Sequence, residues 1–520
     1  MNKWRRPIRL LFVVIGLAVG ASIAPSLSSC SAVTSSVEFL VNPEAGESLA
    51  EGSRQQLDRF EDVYNKYVSN DDSHVRNLEH FRDAFMRVRF DYVRDVPESE
   101  LIDAAIKGIE ENEPKPVPRG VEPDVLIEAA LDKMMTSLDP HSSYLNPGEL
   151  KEMKVSNRGE FGGLGIEVTM DGDFVKVVSP IEDTPAFRAG ILPGDLISHL
   201  NGDAIKGKTL IQAVRLMRGK PGSIIRLTIN REKLSPFDVE IRRAVINVRS
   251  VRWRTEGDVG YIRVVSFSEK VAPGIDSAME DIRGQLGKNL AGIVLDLRNN
   301  PGGLLHQSLT LSDAFLEKGT IVSVRGRRAG SQRVFEAERG DLADGLPVVV
   351  LINPGSASAS EIVAGALQDH HRAIIMGQQS FGKGSVQTIT PLPQEGALRL
   401  TTQLYYSPSG RAIQARGITP DIEIIPTPVE ATPEQAAKVE STEKEDGAEK
   451  PKILRRREAD LPGALSAVGS ETNQAHPSLP EESCVPVGEK EDRTLGCALA
   501  LIHAGSSASF LASVGQSPAM

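Results

Sequence analysis

One stretch limits the folds open to this chain more than any other. Residues 346–352 form an unbroken apolar run, Asn353-Pro-Gly355 breaks it, the small residues Ser356-Ala-Ser-Ala-Ser360 follow, and 361–371 resumes at helical spacing. A strand-length apolar run, a Pro-Gly turn and a helical pattern predict strand, sharp turn and helix. A serine in that turn stands at a helix N-terminus. Free backbone N–H groups and the positive end of the helix dipole there favour the negative charge of an acyl-transfer intermediate. Serine is also a preferred helix cap, so position alone neither separates a nucleophile from a cap nor chooses among Ser356, Ser358 and Ser360.

The surrounding sequence supplies a scaffold for such a turn. Over 246–426, strand patterns (259–265, 292–297, 401–406) alternate with helical ones (272–286, 302–316), which predicts a sheet covered by helices. Arg298-Asn-Asn-Pro-Gly-Gly303 and Asn353-Pro-Gly355 both follow apolar strands directly, at the carboxyl edge where α/β folds build their sites. Upstream, a polar linker over 33–56 leads into helical spacing over 57–92, 99–109 and 124–138, interrupted by the proline-rich segment 113–118. Between 161 and 246 the texture is short β-like runs with glycine turns. Beyond 426 the chain turns to Glu, Lys, Pro, Ala and Thr with few large apolar residues, which predicts a mostly disordered acidic tail with one short helix over 493–502.

Charge and cysteines bound the function class. A net charge of −11 over 520 residues supplies no basic footprint for nucleic acid, whose phosphates usually dominate affinity. The N-terminus reads Met1-Asn-Lys-Trp-Arg-Arg-Pro, then an apolar stretch over 8–24 and small residues to Ala32. That is the pattern of a secretory signal, with a retained membrane anchor as the second reading. Leu27-Ser-Ser-Cys30 resembles a bacterial lipobox, making Cys30 a candidate acylation site. The other two cysteines, Cys484 and Cys497, are equally compatible with a disulfide in an oxidising compartment and with free thiols. No spacing suggests a zinc site, and no metal or cofactor is expected.

A base must accompany a serine nucleophile. Asp369-His370-His371 closes the same helix, but 13 residues at ~1.5 Å per residue put His371 roughly 20 Å from Ser358, beyond hydrogen-bond reach. Lys383 follows Ser358 by 25 residues, enough for the helix to end and the chain to return beside it. Lysine becomes a base near neutrality when burial without a countercharge lowers its pKa by up to ~3 to 5 units. Lys383, Ser385 and Gln387 share one strand face by the period of 2, and an amide at 387 orients the lysine without holding it protonated. A neutral Lys383 then requires a dry pocket free of carboxylates.

Two resemblances sharpen this reading. Phe161-Gly-Gly-Leu-Gly-Ile-Glu-Val168 with Thr184-Pro-Ala-Phe-Arg-Ala-Gly190 and Pro193-Gly-Asp-Leu-Ile197 resembles a PDZ domain. In such a domain a ligand C-terminus adds as a strand, and the loop Phe161, Gly162, Gly163, Leu164, Gly165 holds its carboxylate. Leu295-Asp-Leu-Arg-Asn-Asn-Pro-Gly-Gly303, Gly355-Ser-Ala-Ser-Ala-Ser-Glu361, Phe381-Gly-Lys-Gly-Ser-Val-Gln387 and Leu138-Asp-Pro-His-Ser-Ser-Tyr-Leu145 are similar to segments of the carboxyl-terminal processing peptidases, PDZ-containing serine proteases. Carried over by position, the resemblance implies Ser358 as nucleophile, Lys383 as general base, Gln387 as its orienting residue, and the backbone N–H groups of Gly303 and Ala359 as oxyanion hole.

The resemblance also implies an organisation and a biology. The chain is then multidomain α+β: an α/β serine-lysine protease core (246–426) with an inserted β-rich PDZ domain (155–245), a linker and helical N-terminal region (33–150), a signal peptide or membrane anchor (1–32) and the acidic tail (427–520). The implied activity is that of a serine endopeptidase cleaving unstructured or partly unfolded exported proteins with apolar C-termini in the bacterial periplasm. Membrane association through the N-terminus, an adaptor lipoprotein and homo-oligomerisation are further expectations of the same resemblance. A PDZ adaptor with an inert α/β domain is the alternative, disfavoured because serine, lysine, glutamine and paired glycines are all intact.

Overall fold

The computed structural model describes residues 51–68, 72–111, 123–427, 457–468, 476–488 and 491–514, apart from a few isolated positions. The N-terminal segment with Cys30, most of the 33–56 linker, the insert at 113–118 and the acidic stretch 428–456 lie outside the described residues.

Four helices come first: α1 (Glu51–Tyr64), α2 (Asp72–Asp91), α3 (Glu98–Glu111) and α4 (Pro123–Thr136). Apolar residues recurring every three or four positions give each one a buried stripe. Phe60 and Phe81 stack at 3.6 Å between ring centres in the shared core. After β1 (Ser143–Leu145) and α5 (Pro147–Asn157), the chain enters the glycine-punctuated region. It forms β2 (Glu160–Gly163), β3 (Ile166–Asp171), β4 (Phe174–Pro180), α6 (Pro185–Arg188), β5 (Leu196–Leu200), β6 (Asp203–Ala204), α7 (Leu210–Met217), β7 (Ile224–Asn230), β8 (Phe237–Arg242) and β9 (Ala244–Asn247). One sheet runs β3-β4-β5-β7-β8 with β6 on β5, while β2 pairs with β9. β3 is therefore an edge strand, and it begins beside the loop 161–165.

The next elements are β10 (Val251–Glu256), β11 (Val259–Val264), α8 (Val271–Leu286), β12 (Gly292–Asp296), α9 (Leu305–Asp313), β13 (Gly319–Gly326), β14 (Arg333–Ala337), β15 (Val348–Ile352), α10 (Ala359–Asp369), β16 (Ile374–Gly377), β17 (Ser385–Pro391), β18 (Ala397–Tyr406) and β19 (Ile422–Ile425), followed after the acidic stretch by β20 (Ser478–Pro480). A seven-stranded sheet, β10-β11-β12-β15-β16-β19-β20, is parallel from β11 onward. A second sheet joins β1, β18, β13 and β14, with β17 on β18. Leu392, Leu398 and Leu400 from its β17–β18 region enter the core of the four helices, so the helical region buttresses the strands that follow Lys383. The helix predicted from 302 starts at Leu305 instead, because Gly302 and Gly303 adopt φ of 98° and 144°, backbone that only glycine takes readily.

The described part of the tail is more structured than one short helix. The expected helix over 493–502 is present as α11 (Arg493–Ala504), and the described part of the tail also carries β20 and α12 (Ser507–Val514). Side chains alternate across each parallel strand, so the sheet has two apolar faces and both need cover. α8, α9 and α10 cover one, against Ile293, Leu295, Val350 and Ile352. Leu495, Leu501, Ile502 and Phe510 of the tail cover the other, against Val294, Val349, Leu351 and Met376. Each such side chain contributes roughly 1.5–3 kcal/mol, so a short apolar island suffices to order this part of a polar tail.

Cys484 and Cys497 form a disulfide, with Cα atoms 5.1 Å apart and a sequence separation of 13. Closing a loop of this size stabilises by roughly 2–4 kcal/mol, mainly through the unfolded chain. Reductant should therefore lower the denaturant midpoint of the wild type and leave a Cys484→Ser/Cys497→Ser variant where it is. Equal midpoints with and without reductant would show that the bond adds nothing.

Candidate active site

The serine turn joins β15 to α10, as its local sequence dictates. Asn353 Oδ1 accepts the Gly355 N–H at 3.0 Å and the Asn299 N–H at 2.8 Å, lacing the turn to the neighbouring loop 297–303. The three serines then part company. Ser356 Oγ donates to Leu297 O at 2.8 Å, Ser360 Oγ donates to Asn300 O at 2.9 Å, and both residues are fully buried. Ser358 is 8% exposed, and among the described residues its hydroxyl proton has no acceptor. Its backbone lies at φ 55°, ψ −111°, a conformation costing a non-glycine residue on the order of 1–3 kcal/mol and clustering at functional sites.

The glycine loop presses against this turn. A Cβ on Gly302 would lie 2.9 Å from Ser358 Cβ and 3.0 Å from Ala359 N, so only a glycine brings the two segments this close. Among the described residues, the N–H groups of Gly303 and Ala359 donate to no backbone carbonyl or side chain. The loop is anchored from behind by Arg298. Its guanidinium pairs with Asp296 at 2.7 Å and Asp492 at 2.6 Å, and Asp492, lying between the two cysteines, ties the tail to the loop.

Lys383 Nζ donates to Gln387 Oε1 at 2.7 Å, and Gln387 Nε2 donates to Ser385 Oγ at 3.0 Å. The structure thus brings lysine and glutamine together on the shared face. It makes no hydrogen bond between Ser358 Oγ and Lys383 Nζ; in the absence of substrate such contacts are commonly long and tighten only when the site is occupied. What joins the two residues is Glu361. One oxygen of its fully buried carboxylate accepts the Ser358 N–H at 2.7 Å and the Lys383 N–H at 2.9 Å. The other accepts the Ser380 hydroxyl at 2.6 Å and the Gly382 N–H at 2.7 Å. Burial, set against those four bonds, pushes the Glu361 carboxyl up to about 7.

The lysine is half-buried, and its pocket is not free of carboxylates. Burial is the largest influence on Lys383 and lowers its pKa; Glu458, Asp139 and Glu361 oppose that shift, while Arg399 adds to it. The carboxylates are tolerated because each is occupied elsewhere. Asp139 accepts the N–H groups of His141 and Ser142 and the hydroxyls of Ser142 and Thr401. Glu458, from the tail, contacts His141 Nε2 at 2.8 Å and accepts Gln414 Nε2 at 3.0 Å.

Sequence reasoning missed Glu361, Asp139, Thr401 and Glu458. Only Glu361 carried a local signal, the capping-box spacing Ser358-x-x-Glu361. His370, by contrast, has Nε2 2.7 Å from Thr320 O and so serves the end of α10. In the β-rich domain, the N–H groups of Leu164 and Gly165 donate to no protein acceptor among the described residues. They sit where the open edge of β3 begins, so the loop 161–165 offers free donors beside an unpaired strand edge.

A serine with an unused hydroxyl proton beside two unused amides is what acyl transfer needs, and the class that this fold and turn define is a serine hydrolase with an attached peptide-binding domain. A family model described as peptidase family S41 matches residues 258–424, and one described as a PDZ domain matches 162–241. A carboxy-terminal-processing protease of Bartonella bacilliformis is 51% identical over 359 residues, covering 69% of this chain and 77% of the relative. A probable CtpA-like serine protease of Staphylococcus epidermidis is 35% identical over 303 residues, covering 58% and 61% respectively, so less than two thirds of that relative is spanned. Among solved structures, a photosystem II D1 C-terminal processing protease aligns with a TM-score of 0.44 at 27% identity, over 68% of this chain and 93% of that one. The chain belongs to the carboxy-terminal-processing proteases of peptidase family S41: it is a serine protease carrying a PDZ domain.

Proposed function

We propose that Ser358 is the nucleophile and Lys383 its general base. Neutral Lys383 takes the Ser358 proton as Oγ attacks the scissile carbonyl, and the N–H groups of Gly303 and Ala359 receive the oxyanion. The lysine then returns the proton to the leaving amine. Water, deprotonated by the same lysine, hydrolyses the acyl-enzyme and frees Ser358. Gln387 holds the lysine side chain through the 2.7 Å bond without supplying charge. The observation carrying this reading is the convergence of the Ser358 and Lys383 backbones on one oxygen of Glu361, at the one serine of three with an uncommitted hydroxyl proton.

The substrates in this reading are flexible exported proteins with apolar C-termini, held by strand addition to β3 with the terminal carboxylate on the loop 161–165. The signal-like N-terminus supports export to the periplasm. A disulfide between Cys484 and Cys497 supports an oxidising compartment. Amidating the C-terminus of a flexible substrate should lower kcat/KM roughly tenfold or more, since one charged hydrogen-bonded contact is lost. Equal cleavage of the acid and the amide would count against recognition of the C-terminus.

The pH dependence has a definite sign. Lys383 must be neutral, so kcat/KM rises with pH through its folded pKa, which burial places below that of an ordinary lysine. Glu361, at about 7, loses its proton in the same direction and becomes able to accept all four of its donors. Stability follows by linkage. Between the folded and unfolded pKa values of Lys383 the unfolded chain binds the extra proton, so the folded state gains as pH rises. For Glu361 the folded state holds the proton longer, so that contribution is present below the ordinary glutamate value and is lost through about 7. A pH profile of kcat/KM that falls across the neutral range would contradict a neutral-lysine base.

A further inference from the structure

We propose that Asp139, acting through the hydroxyl of Thr401, is the positioning residue that fixes which end of the Gln387 amide faces Lys383. The proposal rests on the assignment of Lys383 as base and goes beyond it. A glutamine amide has an acceptor end and a donor end of almost the same shape, and its partners alone decide which way it points. Gln387 must present oxygen to Lys383, since an NH2 group there would set donor against donor whenever the lysine is protonated.

Thr401 settles the choice. Its Oγ1 lies 3.1 Å from Asp139 Oδ1 and 3.3 Å from Gln387 Nε2. A hydroxyl has one proton and an ionised carboxylate only accepts, so Thr401 donates to Asp139 and can only accept from Gln387. The amide NH2 is thereby committed to Thr401 and Ser385, which leaves Oε1 for the lysine. Every donor in the series points the same way, from Lys383 to Gln387, to Thr401, to Asp139.

Burial and register support this directionality. Thr401 is fully buried and Asp139 is 3% exposed, so no water competes for the threonine proton. Asp139 is itself held by the N–H groups of His141 and Ser142 at 2.8 and 3.0 Å and by the Ser142 hydroxyl at 2.6 Å. A register shift in the β17–β18 pairing between Val386 and Gln387 sets Gln387 directly opposite Thr401, and such irregularities re-aim side chains next to active sites. Two neutral groups stand between the carboxylate and the amine. Asp139 therefore directs the lysine's partner without forming the ion pair that would hold the lysine protonated.

Thr401→Val keeps the shape and removes the hydroxyl. It should lower kcat on the order of 10- to 100-fold, the scale of a small misplacement of a catalytic group, at unchanged KM, and Thr401→Ser should recover most of that loss. Asp139→Leu should lower kcat similarly when it folds, and the double variant should lose little more than either single one, because both act through the same amide. Thr401→Val with wild-type kcat, or Thr401→Ser as impaired as Thr401→Val, would overturn the proposal. Lys383→Ala measured alongside separates the two levels: activity retained there removes the lysine assignment, whereas an inactive Lys383→Ala beside a fully active Thr401→Val removes only the role of Asp139.

Discussion

Ser358→Ala and Lys383→Ala should each reduce turnover of a flexible substrate with an apolar C-terminus by about 10⁴- to 10⁶-fold, the range seen when one member of a catalytic unit is removed. Neither change should unfold the protein. Ser358 anchors its turn through its N–H to Glu361, and alanine keeps that N–H. Lys383 contributes a half-buried amine whose hydrogen bond, among the described residues, is to Gln387, so its removal relieves burial as well as losing a contact. The double variant should be no worse than either single one, because nucleophile and base act as a unit. Peptide binding by the PDZ domain should persist in both, which separates loss of chemistry from loss of recognition. Substantial turnover by purified Ser358→Ala would end the assignment.

Glu361→Ala should cost both activity and stability. Its carboxylate is the acceptor for the Ser358, Gly382 and Lys383 N–H groups and the Ser380 hydroxyl, all in a fully buried position. A buried donor left without a partner costs about 1–3 kcal/mol. The four losses overlap as the site relaxes, so about 3–5 kcal/mol is expected overall, with kcat falling at least about 100-fold as the two backbones separate. Glu361→Gln is the sharper variant. It keeps the volume, but its NH2 must face either the Ser358/Lys383 pair of donors or the Ser380/Gly382 pair, so kcat should still fall while less stability is lost. Denaturant midpoints and kcat for the two variants test this together; a glutamine variant at wild-type kcat would mean that the shared carboxylate is not what aligns the serine with the lysine.

The parts of the fold set by local pattern were readable in advance. β15, its Pro-Gly turn and α10 follow from an apolar run, a breaker and helical spacing, all within 26 residues from 346 to 371. Choosing among three serines required tertiary information, because what disqualifies Ser356 and Ser360 are the carbonyls of Leu297 and Asn300 about 60 positions away. Thr401 and Asp139 are 262 positions apart and share no periodicity that would reveal their contact. The tail was legible only in part, for a different reason. The short helix expected over 493–502 forms as Arg493–Ala504, but a window averaged over a long polar stretch cannot show that it docks on a sheet face built elsewhere. The apolarity of β15 on both faces, Val348-Val-Val-Leu-Ile352, was the available hint that something outside α8–α10 had to cover it.

The most direct test is peptide mapping by mass spectrometry after reaction with an acylating serine-directed probe such as a β-lactone. One stable ester is expected on Ser358 in the wild type, absent in Ser358→Ala and strongly reduced in Lys383→Ala. An ester on Ser356 or Ser360, or undiminished labelling of Ser358 without Lys383, would contradict it.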